Sequence, residues 1–396
     1  MRRRGRRPGA GSLRVLHLDH TSAPGGAELA LVRMLSARPS WQPILLVPPS
    51  GREGAYGRLP ATVPVRAGGV TQPSGVSAGG ARTIVGGGLR LALQAAATRF
   101  DPAFRTADVV DANTARSAAY GALAAVTSRV PFVIHLRDLV RADALGRFGF
   151  ETMARLALPR ADGVVANSRA TLESARPFLR ADAITAVIPS ASGLTFGAPP
   201  GGREPGPLRI GMLARIDPWK GQMLLLEAFA EAFPGGDERL VLAGSAPFGH
   251  AQFMDDLRIR AAELRVEERV DLLGHVEDVP AVLGQWDIAV QASLRPEPLG
   301  QNVLQYLAAG VATIVADEGG PTEWVEDERN GIRVTPRDPD ALTVALQRLG
   351  GDAALRTKLA LAARATPGLL TDDEVMRAHA EFYRAVLDGR QPQGTS

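Results

Sequence analysis

Residues 295–325 read RPEPLGQNVLQYLAAGVATIVADEGGPTEWV, and this stretch decides the fold. Glu297 stands just before the Pro298-Leu299-Gly300 turn, so the next helix opens with backbone N–H groups of Gln301, Asn302 and Val303 that lack an intrahelical partner. An anion belongs at such a helix end. Leu304, Leu307 and Ala308 fall at i, i+3 and i+4 and form one buried face, Gly310 stops the helix, and ATIVA follows as a short interior strand. A second glycine turn, Gly319-Gly320, is expected to open another helix. Helix running into buried strand is the pattern of a parallel α/β sheet.

Upstream, LRIGMLARIDPWKGQ (208–222) reads as a strand, a loop and a helix over 221–233. Arg215 and Lys220 sit on that loop, at the carboxyl end of a strand, where such sheets bind ligands. Two cations five residues apart can clamp a diphosphate, the arginine by its planar fork and the lysine as a compact charge. The plain alternative is a pair of solvated loop charges. Lysine is rare here: of 45 basic residues, only Lys220 and Lys358 are lysines, so its use at 220 invites a chemical reason. RLVLAGSA, a helix near 255–263, RVDLLGHV, a short helix over 279–283 and DIAVQAS complete this sheet. GIRVTP gives a last strand, two helices follow within 339–363, and 371–387 forms a final amphipathic helix.

The first half repeats the architecture. LRVLHLD (13–19) runs into a glycine turn and a helix marked by Leu29, Val32 and Leu35. Gly25 and Gly26 would let the backbone approach a ligand and aim N–H groups at it; the spacing is not GxGxxG, and a bare turn fits equally. Strands are expected at 43–47 and 63–66, then ADVVDANT, a helix over 115–128, PFVIHLRD, GVVANS and ITAVIP. Asn113 and His135 lie at carboxyl ends of strands, in position for a ligand, although a hydrogen-bonded structural histidine is the alternative for His135. The Gly/Ser-rich segment 68–88 reads as a mobile lid or acceptor loop, or as plain disorder. Residues 191–207, crowded with Gly and Pro, read as a domain linker.

At 396 residues the chain exceeds what one core usually organises. The expected division is a disordered basic arm (1–11), an acceptor-side domain (12–190), the linker (191–207), a donor-nucleotide domain (208–370), a closing helix (371–388) and a tail (389–396). The formal charge of +3 rests on Arg2, Arg3, Arg4, Arg6 and Arg7, without which the body is slightly acidic, so a nucleic-acid partner is not expected. The arm reads as solvated, with weak peripheral attachment to the inner face of an anionic membrane as its second reading. No apolar run suits a signal peptide or a span, which points to a cytoplasmic protein. Zero cysteines exclude disulfides, thiolate metal sites and a cysteine nucleophile.

GxxxxGK[ST], HExxH and an i, i+4 histidine pair are all missing, and Asp338-Pro339-Asp340 reads as a helix cap, so no metal ligands are expected. What remains is an anion site with the Glu297 carboxylate beside it. A carboxylate there needs hydrogen-bond donors, and sugar hydroxyls supply them. A nucleotide sugar satisfies both halves, and two cations plus helix N–H groups suffice for a departing diphosphate without a metal or cofactor.

In this order, SAPGGAE, DVVDANT, PFVIHLRD, VVANS, GMLARIDPWKG, LVLAGSA, RVDLLGHVEDVP, DIAVQAS and the opening stretch make the chain resemble glycosyltransferase family 4 from about residue 13 to 387. That family comprises retaining, metal-independent enzymes of the GT-B fold, two Rossmann-like doubly wound parallel-sheet domains facing across a cleft. The resemblance implies a nucleotide-diphosphate sugar as donor and a hydroxyl acceptor. It implies that Arg215 and Lys220 hold the diphosphate, that Glu297 contacts the transferred sugar, and that Gly25 and Gly26 face the phosphates. It adds Gly244, His275, Val276, Gly300, Gln301, Asn302, Val303 and Gln305 to the donor site, places Asn113 and His135 on the acceptor side, counts His135 as catalytic, and has the last helix cross back to the first domain. Three positions depart from the pattern: Gln305 replaces the second glutamate of E-x7-E, Asp111 replaces a histidine, and PSASG replaces the usual Asn-Gly. A sugar-nucleotide epimerase or hydrolase of the same fold, or a binding protein without catalysis, remains open. A dehydrogenase fits poorly, since the glycine loop lacks the dinucleotide spacing.

Overall fold

Short apolar runs, each followed by a turn and a helix, have one simple arrangement: strands side by side in parallel with helices on both faces. The computed structural model describes residues 12–49, 51–71, 81–196, 205–246 and 251–391. It divides after Ala191 and again before Leu370, so that the chain's closing segment belongs to the first of two compact units.

The first unit holds β1 (Arg14–Leu18), β2 (Gln42–Val47), β3 (Val65–Ala67), β4 (Val109–Ala112), β5 (Phe132–Leu136), β6 (Gly163–Ala166) and β7 (Ile184–Val187). The second holds β8 (Arg209–Leu213), β9 (Arg239–Ala243), β10 (Val270–Gly274), β11 (Ile288–Gln291), β12 (Ala312–Ala316) and β13 (Ile332–Val334). The strand orders are β3-β2-β1-β4-β5-β6-β7 and β10-β9-β8-β11-β12-β13. All pairings are parallel. Each sheet reverses direction between its first and fourth strands, the switch point at which α/β sheets bind ligands.

In the first unit, Val15, Val109, Val133 and Val165 face helices Gly26–Ser36 and Asp372–Asp388. Leu16, Val110, Ile134 and Val164 face the opposite layer, which includes helix Ala115–Ala125. The closing helix starts on a reciprocal cap between Thr371 and Glu374 and buries Val375, Met376, Ala380, Phe382, Tyr383 and Val386. Tyr383 donates to Asp111 Oδ2 at 2.7 Å, and Asp111 also meets His17 Nδ1 at 3.1 Å. Asp111 is thus part of a buried polar lock under the closing helix.

Three expectations change. Residues 81–88 of the supposed lid lie in helix Ala81–Phe100, while 72–80 lie outside the described residues. Gln94 of that helix accepts from Val70 N at 2.9 Å and donates to Gly68 O at 3.1 Å, and Ala95 and Thr98 are buried, so tertiary packing overrides the glycine-rich composition. Gly319-Gly320 opens only the 3-10 turn Gly320–Glu323. A Cβ on Gly320 would stand 2.4 Å from Pro298 O, so that turn is pressed against the Pro298 segment rather than extended into a helix. The linker is shorter than expected, since Leu194 already packs in the second unit; residues 197–204 lie outside the described residues. In the tail, Gln391 accepts from Thr185 N and donates to Ala183 O at the β7 edge, both at 3.2 Å. The basic arm, 1–11, and residues 392–396 lie outside the described residues.

Candidate functional site

In the second unit, the loop after β8 is held by hydrogen bonds to its own backbone groups. Asp217 accepts from Trp219 N and starts the turn Pro218–Lys220, Trp219 O accepts from Leu294 N at 2.7 Å, and Gln222 Nε2 donates to Arg215 O at 2.7 Å. Gly221 has φ +82°, and a Cβ there would stand 1.9 Å from Ala292 O, so this loop closes onto the end of β11 only with glycine. Gly244 is demanded in the same way by the Ala214 carbonyl, 1.8 Å from where its Cβ would lie.

The result brings Lys220 and Glu297 together: Nζ lies 2.5 Å from Oε1, with Ser293 Oγ donating to the same oxygen at 2.6 Å. Both charged side chains are largely buried, Glu297 more so. The Lys220 ammonium also lies 4.0 Å from the centre of the Trp219 ring. The Glu297 backbone is fixed as well, its carbonyl accepting from Gly320 N at 2.8 Å. Lys220 is therefore not a solvated loop cation. Its ammonium keeps N–H donors beyond the one given to Glu297, and Glu297 Oε2 remains as an acceptor. Arg215, 41% exposed, lies on the same loop with Nη2 3.7 Å from Asp217 Oδ2. Gly300, φ +74°, caps helix Gln301–Ala309 beside the same strand end; contrary to expectation the Val303 N–H is already engaged, donating to Gly300 O at 2.9 Å, which leaves the N–H groups of Gln301 and Asn302 as the candidates for an anion.

The remaining donor-side residues divide. Asn302 is engaged within its own turn, accepting from Val303 N at 3.0 Å and donating to Tyr306 Oη at 3.2 Å, and Val303 is core. His275 is exposed after β10, beside a half-buried Val276. Gln305, where the family pattern has a glutamate, donates from Nε2 to Ser192 O at 2.9 Å, which a carboxylate could not do. Ser293 and Trp219 were not singled out from the sequence; only their position next to strand ends distinguishes them.

In the first unit, Gly25 caps helix Gly26–Ser36 in an extended conformation, so its backbone does not require glycine; a Cβ there would meet the tip of the Glu28 side chain, with Oε2 at 2.4 Å. Asp19, at the end of β1, accepts from Tyr56 Oη at 2.6 Å, Asn113 Nδ2 at 2.5 Å and His20 N at 2.6 Å. Burial acts to raise the Asp19 carboxyl, but His20, Tyr56 and Asn113 hold it below its ordinary value. Glu28, also buried and close to Asp19, is pushed up to about 8 by burial first and by the Asp19 charge second. Asp19, His20 and Glu28 bring one ligand atom each within 4.8 Å of one another, a grouping not expected from sequence. Both Asp19 oxygens and His20 Nδ1, the latter 2.9 Å from Thr114 Oγ1, are already hydrogen-bonded, which leaves a poor donor set for a cation.

Asn113 is engaged at both ends, giving Nδ2 to Asp19 and accepting at Oδ1 from Arg137 Nε at 2.8 Å; it braces the strand ends from within. His135 is 2% exposed, with Nδ1 3.3 Å from Arg137 Nη2. Because a guanidinium only donates, Nδ1 accepts and the ring proton sits on Nε2, a buried atom with no protein partner. Burial, then the charges of Arg137 and His379, keeps this ring neutral, its pKa well below the ordinary value.

Comparison with known proteins then adds identity to this geometry. Residues 25–191 match the family model "Glycosyltransferase Family 4", and residues 207–352 match "Glycosyl transferases group 1". The chain is 31% identical to the lipopolysaccharide core biosynthesis glycosyltransferase LpsE of Rhizobium meliloti over 112 residues, 28% of this chain and 33% of that one. It is 30% identical over 163 residues to the GDP-mannose-dependent alpha-(1-6)-phosphatidylinositol monomannoside mannosyltransferase of Mycolicibacterium smegmatis, 38% of this chain and 41% of the relative. The chain spans less than half the length of the curated relatives it matches. Among solved structures, HepE of Anabaena in complex with UDP aligns over 94% of this chain and 100% of its own with a TM-score of 0.76 at 24% identity, a likeness of fold. With both halves matched by models of one enzyme group and both sheets in this fold, the chain belongs to glycosyltransferase family 4 and has the GT-B fold.

Proposed function

We propose that the protein is a retaining hexosyltransferase that moves a sugar from a nucleotide-diphosphate sugar to an acceptor hydroxyl in the cytoplasm, without a metal or other cofactor. The observation that carries this reading is the Lys220–Glu297 pair at 2.5 Å, set beside Arg215 and the open N-terminus of helix Gln301–Ala309. Lys220 and Arg215 take the diphosphate, helix N–H groups add to them, and Glu297 Oε2 accepts from a sugar hydroxyl. As the bond from the anomeric carbon to the phosphate oxygen breaks, the acceptor oxygen bonds to the same face, and its proton passes to the departing phosphate oxygen. No side chain serves as a covalent nucleophile in this step. The charge growing on the leaving diphosphate is what the two cations stabilise.

HepE was solved with UDP and with UDP-glucose, which makes uridine nucleotides the first donors to try. The relatives acting in lipopolysaccharide core synthesis and on a phosphatidylinositol mannoside support a glycan or lipid-linked acceptor. A second reading, a sugar-nucleotide-binding protein without turnover, is favoured by one observation, the Gln305 amide engaged by Ser192. The test is a panel of nucleotide sugars and acceptors with products analysed by NMR, in chelator and without it. A product that keeps the donor's anomeric configuration and forms equally in chelator is expected. Inverted product overturns the mechanism, a strict divalent requirement overturns metal independence, and binding without turnover favours the second reading.

A further inference from the structure

Helix Ala81–Phe100 buries Gln94, Ala95 and Thr98 against the first unit and turns another face outward. On that face Leu89, Leu93 and Phe100 are 62%, 49% and 68% exposed. Their spacing of i, i+4 and i+11, with exposed Ala96 at i+7, makes one stripe along the helix. Large apolar side chains this exposed and this aligned mark an interaction surface rather than scattered surface residues.

The charge around the stripe has one sign. Residues 54–100 contain five arginines (58, 66, 82, 90 and 99) and no Asp or Glu. Arg90 and Arg105 are exposed and have no ion-pair partner among the described residues. Arg99 lies with its guanidinium 5.4 Å from the centre of the Phe104 ring. The acid that follows the stripe, Asp101, is neutralised by Arg66 through contacts of 3.0 and 3.1 Å.

We propose that this face of helix Ala81–Phe100 docks on an anionic lipid membrane, with Leu89, Leu93 and Phe100 entering the interface and Arg90 and Arg105 resting among the head groups. Apolar tips flanked by arginines are what such an interface binds, and the contact strengthens with anionic lipid and weakens with salt. The stripe shares no residue with the Lys220–Glu297 pair, and it does not depend on which sugar is transferred.

The experiment is sedimentation of the full chain with vesicles of phosphatidylcholine alone and mixed with phosphatidylglycerol, at low and high salt. The wild type is expected to bind the mixed vesicles, less so in salt. Leu89→Ser/Leu93→Ser/Phe100→Ser should lower binding about tenfold with an unchanged unfolding midpoint. Arg90→Glu/Arg105→Glu should lower binding to mixed vesicles selectively, while replacing Arg2, Arg3, Arg4, Arg6 and Arg7 by Ser should leave the stripe-dependent part in place. The proposal is overturned if the wild type ignores both vesicles, if the folded triple variant binds as well as wild type, or if the arm variant alone abolishes binding. It also fails if the stripe substitutions change self-association and not vesicle binding.

Discussion

Lys220 is one of two lysines in the chain, and its place against Glu297 makes its charge the most informative single residue to remove. On the proposed function, Lys220→Ala deletes a contact that would strengthen as the diphosphate departs, so about 2–4 kcal/mol of transition-state stabilisation, or roughly 30- to 1000-fold in turnover, should be lost. Lys358→Ala, on the exposed side of helix Ala353–Arg364, should leave turnover unchanged. Steady-state kinetics of both variants check this, and equal rates would remove the anion-site assignment. The individual residues were legible to different depths. Lys220 stood out because arginine is the habit elsewhere, and Glu297 because of its strand-end turn. That they pair across 77 positions, with Ser293 on the same oxygen, has no local signal.

At the scale of elements, helix Asp372–Asp388 carries His379, whose Nδ1 donates to Val375 O at 2.8 Å and whose ring lies 5.0 Å from that of His135. Burial lowers His379 from 6.5 to about 4, so between those values the unfolded chain takes a proton that the folded one refuses. Its contribution to stability is intact above pH 6.5 and falls as the pH drops towards 4, by about 3 kcal/mol in all. Urea unfolding at a series of pH values should show this slope, and His379→Gln should lessen it, the remainder including that of the buried, neutral His135; an identical slope in the variant would refute the assignment. The amphipathic pattern and Thr371–Glu374 cap made this helix readable from sequence. Helix Ala81–Phe100 was not, because three consecutive glycines look like a loop, and it takes distant contacts such as Gln94 to Gly68 and Val70 to hold the segment helical.

At the scale of the whole molecule, the first unit is completed by a segment that the chain reaches only after building the second. Tyr383 closes it by donating to Asp111, whose other oxygen has no partner. Tyr383→Phe strips a donor from a buried carboxylate and should cost about 1–3 kcal/mol. Calorimetry should show the first unit's transition lowered and the second's unmoved; a uniform shift of both would contradict the division.

Strand-turn-helix order, two parallel sheets, a closing helix and the strand-end placement of Lys220 and Glu297 follow from local apolar spacing, glycine turns and caps, because those properties act over a few residues and the sequence carries them directly. Family motifs added the donor class that is proposed. Tertiary structure decided which charges neutralise each other: Glu297 with Lys220, Asp111 with His17 and Tyr383, and Asp19 with Tyr56 and Asn113. It also decided that Gln305 holds Ser192 and that Glu28 is held near a second buried carboxylate. Burial and pairing are set by residues far apart in the chain, and no spacing rule within one segment encodes them.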